Sequence, residues 1–287
     1  MEEAASKKEI SGGARKNRER HSLAFPATLT VNRPAVNINM EHSSTFESQI
    51  IRFSGVTKRF GGVYALHDVS FGVMKNDFVF ITGPSGAGKS TLIKLLYMGE
   101  RMSDGYAIVD GMNLARISRR QVPELRRKIG VIFQDFKLIA SLTVFQNVAL
   151  VMEAAGFKSR STIRERVEDL LELVGLAHHA DAYPPTLSGG EKQRAAVARA
   201  MVGKPRIILA DEPTASLDPA ASERVLQLLR AAHARGATIV ITTHDRELLS
   251  RFDARVIYLE NGRRVDAPGC AGEDLTQEAE APKDGET

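Results

Sequence analysis

The octapeptide Gly83-Pro84-Ser85-Gly86-Ala87-Gly88-Lys89-Ser90 constrains this chain more than any other stretch. A G-x-x-x-x-G-K-S run carries its chemistry only where a strand feeds it and a helix leaves it. Both flanks are legible. Phe78-Val79-Phe80-Ile81 is a short apolar run ending near Thr82, and Thr91-Leu92-Ile93-Lys94-Leu95-Leu96 reads as a helix. Between them, glycines let the backbone curl until its N–H groups converge on phosphate oxygens, and the helix start adds about half a positive charge. Lys89 reaches the outer phosphates as a mobile point charge, and the Ser90 hydroxyl is a ligand for Mg2+. The alternative, a glycine-rich turn that binds nothing, leaves that strand and helix unexplained. Taken alone, the loop indicates a nucleoside triphosphate and says nothing of what is done with it.

Residues 129–133, 207–210 and 238–241 are apolar runs of the same kind. Near-continuous apolar strands are covered on both faces, which predicts an α/β core built on a parallel sheet. Asn261-Gly262 between two short runs predicts a closing hairpin. From about 136 to 186 the texture turns helical without intervening strands, as in an insertion into the core. There Thr162-x-x-Glu165 reads as a capping box, followed by Val167, Leu170, Leu171 and Val174 on one stripe. Residues 1–49 lack sustained periodicity and are expected to be a flexible extension. The cassette of ordered structure is expected over 50–265, and an acidic tail over 266–287, where Lys283 is the sole base.

The 287 residues, 43% hydrophobic and 26% charged, are ordinary for a soluble globular protein. The single cysteine, Cys270, excludes a disulfide framework and is read as a free thiol in a polar tail. The greasiest stretch, 138–152, is broken by Ser141, Thr143, Gln146 and Asn147, so no membrane span is expected. No secretory signal leads the chain. The expectation is a protein kept in the cytoplasm that meets a membrane only by docking. The net charge of +4 is uneven. The basic run Arg15-Lys16-Asn17-Arg18-Glu19-Arg20 reads as a solvated tail, with attraction to anionic headgroups as the sharper alternative.

Ile207-Ile208-Leu209-Ala210-Asp211-Glu212 supplies the next chemical element. An apolar strand ending in an acid delivers a carboxylate to Mg2+ in phosphoryl-transfer enzymes. Asp211 is assigned to the metal. Glu212, beyond the strand end, is placed to orient or deprotonate the attacking water. Without the phosphate loop, two solvated acids before Pro213 would be the better reading. Leu187-Ser188-Gly189-Gly190-Glu191 opens a strong helix-forming run and leaves N–H groups and a hydroxyl available to an anion. By itself it reads as an N-cap and turn.

Carried together, that pentapeptide and the phosphate loop resemble the ATP-binding-cassette ATPases, with the motif order matching across 51–265. The resemblance implies ATP and Mg2+ as cofactors. It also implies a P-loop NTPase core of RecA type, with an antiparallel β subdomain and an inserted α-helical subdomain. Residues 83–91, including Thr91, would hold the phosphates. Ser188, Gly189 and Gly190 would close over the γ-phosphate held by a second copy, giving a homodimer with two shared ATP sites. Gln134 matches the family's glutamine that senses Mg2+ and the membrane partner. Asp218 matches the loop that crosses the dimer interface, and His244 the switch histidine at the γ-phosphate. Phe60 sits where the family stacks an aromatic on adenine, with Tyr64 as a competing candidate.

Residues 82–91, 129–138 and 143–150 further resemble the cell-division (FtsE) branch of that family. Ala215-Ser216 stands where that branch usually has Gly-Asn, a form also seen in solute importers. The branch implies an FtsX-like permease as membrane partner, a location on the cytoplasmic face of the plasma membrane, and activation of peptidoglycan hydrolases. The alternative is the ATPase of an importer or of a lipoprotein-release or efflux transporter. The absence of Asn-Lys-x-Asp argues against a GTPase, and that of a kinase Gly-rich loop with His-Arg-Asp against a protein kinase. No nucleic-acid partner is expected, because neither a long coiled coil nor a second cassette is present.

Overall fold

The structure is a computed structural model and describes residues 49–252 and 254–266. A hairpin of β1 (Gln49–Phe60) and β2 (Val63–Met74) leads into β3 (Phe78–Thr82), whose end feeds α1 (Lys89–Leu96). Next come β4 (Asp104–Val109), β5 (Met112–Asn113), α2 (Val122–Arg127) and β6 (Ile129–Ile132). The helices α3 (Val144–Ala154), α4 (Arg160–Leu173) and α5 (Gly189–Met201) follow, with no strand among the described residues until β7 (Ile207–Asp211). The chain ends in α6 (Pro219–Ala234), β8 (Thr238–Thr243), α7 (Arg246–Ser250), β9 (Arg255–Glu260) and β10 (Arg263–Val265).

The main sheet has the order β10-β9-β3-β8-β7-β6, parallel throughout except for β10. Inside each apolar run, alternate residues serve opposite cores. Phe80, Ile132, Ile208, Ala210, Ile239 and Ile241 face a core shared with residues of α3 to α6, such as Met152, Leu171, Val197 and Leu229. Val79, Ile81, Leu209, Val240 and Ile257 face a second core with Leu92 and Leu96 of α1 and Phe53, Val69 and Phe71 of the hairpin. Fully burying one such side chain stabilises the fold by about 1.5–3 kcal/mol. The predicted helical stripe is likewise in the first core, Val167, Leu170, Leu171 and Val174 all being buried.

The second sheet, β2-β1-β4-β5, is antiparallel. Its long strands are broken by register shifts, with Gly55 and Asp68 at φ 61° and 52°. Together the two sheets and the helices between β6 and β7 have the architecture implied by the resemblance. The 261–262 hairpin is as expected, both residues having positive φ (49° and 74°), as a two-residue turn between twisted strands requires.

Three expectations need correction. Thr162 and Glu165 are not a capping box: α4 starts earlier, and its cap is Ser159, which accepts from Thr162 N–H at 3.3 Å. A serine three residues upstream took the role, leaving Thr162 inside the first turn. Gln49, placed with the extension, is the first residue of β1, because it pairs with Met74. The 129–133 run stops pairing at Ile132. Among the described residues no helix is long and apolar enough to cross a membrane. Cys270, the basic run at 15–20, Lys283 and the readings of 1–48 and 267–287 lie outside the described residues.

Candidate active site

The carboxyl ends of β3, β6, β7 and β8 converge on one rim of the main sheet, where ligands of open α/β sheets bind. They form a cleft of about 650 Å³ lined by Ala65, residues 84–91, Gln134, Glu212 and His244. Two glycines make its floor possible. A Cβ on Gly83 would stand 2.0 Å from the Leu259 carbonyl oxygen, and one on Gly88, at φ 102°, 2.4 Å from that of Ala65. Lys89 folds back over the loop. Its Nζ donates to the carbonyls of Gly83 (2.8 Å) and Pro84 (3.1 Å), and it is 8% exposed. An ammonium carries three donors, so one remains for an incoming oxygen.

Facing the loop is a row of oxygens. Ser90 Oγ and Thr242 Oγ1 both donate to Asp211 Oδ1, at 3.1 and 2.6 Å. Glu212, at φ 49°, is in the left-handed region that L-residues with a Cβ enter at a cost of about 1–2 kcal/mol. Its N–H is held by Thr242, donating to the backbone oxygen at 3.1 Å and to Oγ1 at 3.0 Å. The carboxylate lies between two groups, with Oε1 3.8 Å from Lys89 Nζ and Oε2 3.0 Å from His244 Nδ1.

The remaining predicted residues sit elsewhere. Ser188, Gly189, Gly190 and Asp218 do not line the cleft. Ser188 is the N-cap of α5, in a reciprocal capping box with Glu191: Ser188 N–H and Oγ–H donate to Glu191 Oε2 at 2.8 and 2.7 Å, and Glu191 N–H donates to Ser188 Oγ at 3.3 Å. Those two donations hold the Glu191 carboxyl below its ordinary pKa, despite partial burial, and nearby His179 acts in the same direction. Asp218 caps α6, accepting from Ala221 N–H at 2.8 Å. Gly190 packs against that helix, since a Cβ there would lie 3.1 Å from Ala221 Cβ. The chain thus carries two groups: a cleft group, and a second group at the starts of α5 and α6, the one expected to serve as a lid. Phe60 and Tyr64, at the β1–β2 turn, are both largely exposed and outside the cleft lining, each with one face taken by a cation. Lys58 Nζ is 4.4 Å from the Phe60 centroid and the Arg59 guanidinium 4.7 Å from that of Tyr64.

The protein-family model for ABC transporters matches residues 66–215, which span the loop, α5 and the acidic strand end. The cell-division ATP-binding protein FtsE of Streptococcus pneumoniae D39 is 45% identical over 217 residues, 75% of this chain and 94% of that protein. This chain belongs to the ABC transporter ATPase family. FtsE of Escherichia coli K12 is 46% identical, with 74% of this chain and 96% of that protein covered. The methionine import ATP-binding protein MetN of Haemophilus influenzae is 42% identical, covering 78% of this chain but 66% of that protein. A solved dimeric ATP-binding cassette in a post-hydrolysis state, bound to ADP and Pi, superposes with a TM-score of 0.70 at 36% identity over 75% of this chain and 96% of its own.

This ABC ATPase therefore binds ATP and hydrolyses it to ADP and phosphate. Its cleft suits Mg2+ better than a metal needing an all-protein cage. Among the described residues no three His, Cys, Asp or Glu side chains cluster as a metal site. Mg2+ instead takes one or two protein oxygens and fills its octahedron with water and phosphate. Ser90 Oγ and Asp211 Oδ1 lie side by side, and Gln134 lines the same cleft.

Three residues of the ABC ATPase escaped the sequence reading. Thr242 ties the two acids together and was visible only as half of the Thr-Thr pair before His244. Gln193, 1% exposed on α5, donates to the Pro213 carbonyl at 2.7 Å, next to Glu212. Arg199, also on α5, donates to the carbonyls of Phe136 and Lys137 at 2.7 and 2.5 Å. The partners of both α5 residues are backbone oxygens remote in sequence, which no motif spacing encodes.

Proposed function

We propose that two copies of this chain close on two ATP molecules, each gripped by the cleft group of one copy and the lid group of the other. The observation that carries the reading is the position of Ser188, Gly189 and Gly190 outside the cleft that holds Lys89, Glu212 and His244. A helix start with Ser-Gly-Gly has N–H groups to offer an anion, and among the described residues these stand apart from the phosphate loop of their own subunit.

In the closed site, Lys89 and residues 83–91 hold the phosphates and Asp218 lies at the dimer interface. Phe60 stacks on adenine. Ser90 and Asp211, with Gln134 beside them, would hold Mg2+, which when bound would supply charge neutralisation for the phosphates. Glu212 takes a proton from the water that attacks the γ-phosphorus as the bond to the ADP oxygen breaks. His244, bonded to the same carboxylate, keeps Glu212 aimed and faces the γ-phosphate. Glu212→Gln should retain ATP binding, trap an ATP-bound dimer and lower turnover by about 10²–10⁴-fold. Ser188→Arg should block that dimer. Light scattering showing an ATP-independent monomer with full activity overturns the shared site.

For the cellular role, we infer the cell-division reading. The chain would be peripheral on the cytoplasmic face of the plasma membrane, bound to an FtsX-like permease, and would activate peptidoglycan hydrolases rather than move a solute. The support is the match to FtsE proteins over most or nearly all of their length (88–96%), against 66% for the MetN importer. The importer reading retains one favouring observation, Ala215-Ser216 in place of Gly-Asn. Purifying the membrane complex decides between them. A partner with a large extracytoplasmic loop between its first two spans fits division, and one with six or more spans plus a solute-binding protein fits import.

A further inference from the structure

Between the cleft and α3 runs the segment 133–139, and its conformation is costly. Phe136 and Lys137 are consecutive non-glycine residues at φ 61° and 51°. Each costs about 1–2 kcal/mol unless something outside holds it there. The holder is Arg199. Its two terminal nitrogens reach the two adjacent carbonyls, 2.7 Å to Phe136 and 2.5 Å to Lys137. A planar guanidinium makes such a forked contact with little loss of freedom, and lysine cannot. Arg199 is half-buried, and that burial lowers its pKa from the ordinary arginine value. At the far end, the buried Asn147 accepts from Ile139 N–H at 2.7 Å and donates to Ile139 O at 3.0 Å. The segment is a fixed piece of structure with Gln134 at its cleft end.

Arg199 belongs to the helix that Ser188 caps. The same helix touches the other catalytic loop through Gln193 and the Pro213 carbonyl. One rigid element of about 20 Å, 13 residues at 1.5 Å each, therefore links the lid serine to the backbone beside both Gln134 and Glu212.

We propose that Arg199 is a positioning residue that locks the Gln134 segment to the lid helix, so that Gln134 in one cleft and Ser188, offered to the opposite cleft, shift as a single body. The inference rests on the two-copy reading above for what Ser188 does, and on the Mg2+ assignment for what Gln134 does. It adds how the two are joined within one chain. The joint is mechanical, through two carbonyl oxygens, and Arg199 does not line the cleft.

The test uses the full chain with a fluorescent ATP analogue titrated at rising Mg2+. Arg199→Lys should leave Mg2+-free nucleotide affinity within about twofold, since the 83–91 loop is untouched. It should raise the Mg2+ concentration for half-maximal tightening by about 10–100-fold, the range for residues that orient a metal ligand. Gln134→Ala should do the same, and the double variant should add nothing further. A fall in Mg2+-free affinity, or effects of the two substitutions that add, overturns the proposal and leaves Arg199 a structural residue. If Gln134→Ala alone leaves the Mg2+ dependence unchanged, the metal reading of Gln134 fails, and the lock is then judged by hydrogen exchange. That measurement also serves if Arg199→Lys fails to fold. In the wild-type protein, exchange at 134–139 and at 186–191 should change together on adding a non-hydrolysable ATP analogue. A change in one segment without the other overturns the lock.

Discussion

A single hydroxyl does much of the arranging at the catalytic rim. Thr242 Oγ1 donates to Asp211 and accepts from the Glu212 N–H, so it fixes both the Asp211 carboxylate and the strained backbone of Glu212. Thr242→Val keeps the shape and removes both bonds. Each partner keeps another bond, Asp211 from Ser90 and the Glu212 N–H to the Thr242 carbonyl, so the loss should cost about 0.5–1.5 kcal/mol per bond and appear as a lower melting temperature. Turnover should fall further than nucleotide affinity, measured by steady-state kinetics beside equilibrium binding. Lys89→Ala should do the reverse and weaken nucleotide binding first, because the ammonium sits over the phosphate loop and its removal leaves the Asp211–Thr242 pair intact. These two residues also mark what was readable beforehand. Lys89 lies in a contiguous motif whose spacing is dictated by the ligand. Thr242 acts across two strands, and strand adjacency is absent from linear spacing.

Among the elements, α5 is the most telling, because its start serves helix stability and, in the proposed dimer, the lid. The Ser188 backbone N–H and hydroxyl hold the Glu191 carboxyl below its ordinary pKa. An acid whose folded pKa is depressed contributes stability above its unfolded pKa and loses it as pH falls through the folded one. Ser188→Ala should therefore cost about 0.5–2 kcal/mol at neutral pH. The gap to wild type should narrow as pH drops below the usual glutamate range, as read by urea melts at several pH values. The elements also differ in how plainly they were written in the chain. The strands of the main sheet were legible because burial on both faces leaves unbroken apolar runs, as in 207–210 and 238–241. The strands β1, β2 and β4 were not placed, since bulges near Gly55 and Asp68 break the period-two alternation that would reveal a one-sided strand. The start of α4 was misplaced by the presence of two competing hydroxyl caps in one short stretch.

At the scale of the molecule, the core closes among the described residues, with Gln49 pairing at its beginning and Val265 at its end. Removing residues 1–48 should leave folding intact, shifting the melting temperature by less than about 2 °C, which for a domain of this size is at most about 1 kcal/mol. A larger fall would mean that the segment contributes to the core after all. The unequal distribution of the two groups, Lys89 in a cleft and Ser188 away from it, has a further consequence that no single preparation reveals. Lys89→Ala protein and Ser188→Arg protein should each be inactive when pure. Mixed, they should exchange partners by the two-fold symmetry of the pair: in a hybrid, one site inherits both lesions and the other inherits none. Such a blend of two dead samples should recover turnover that neither has alone, up to about a quarter of wild type if half of the pairs are hybrids with one intact site, and less to the extent that the remaining arginine disfavours pairing.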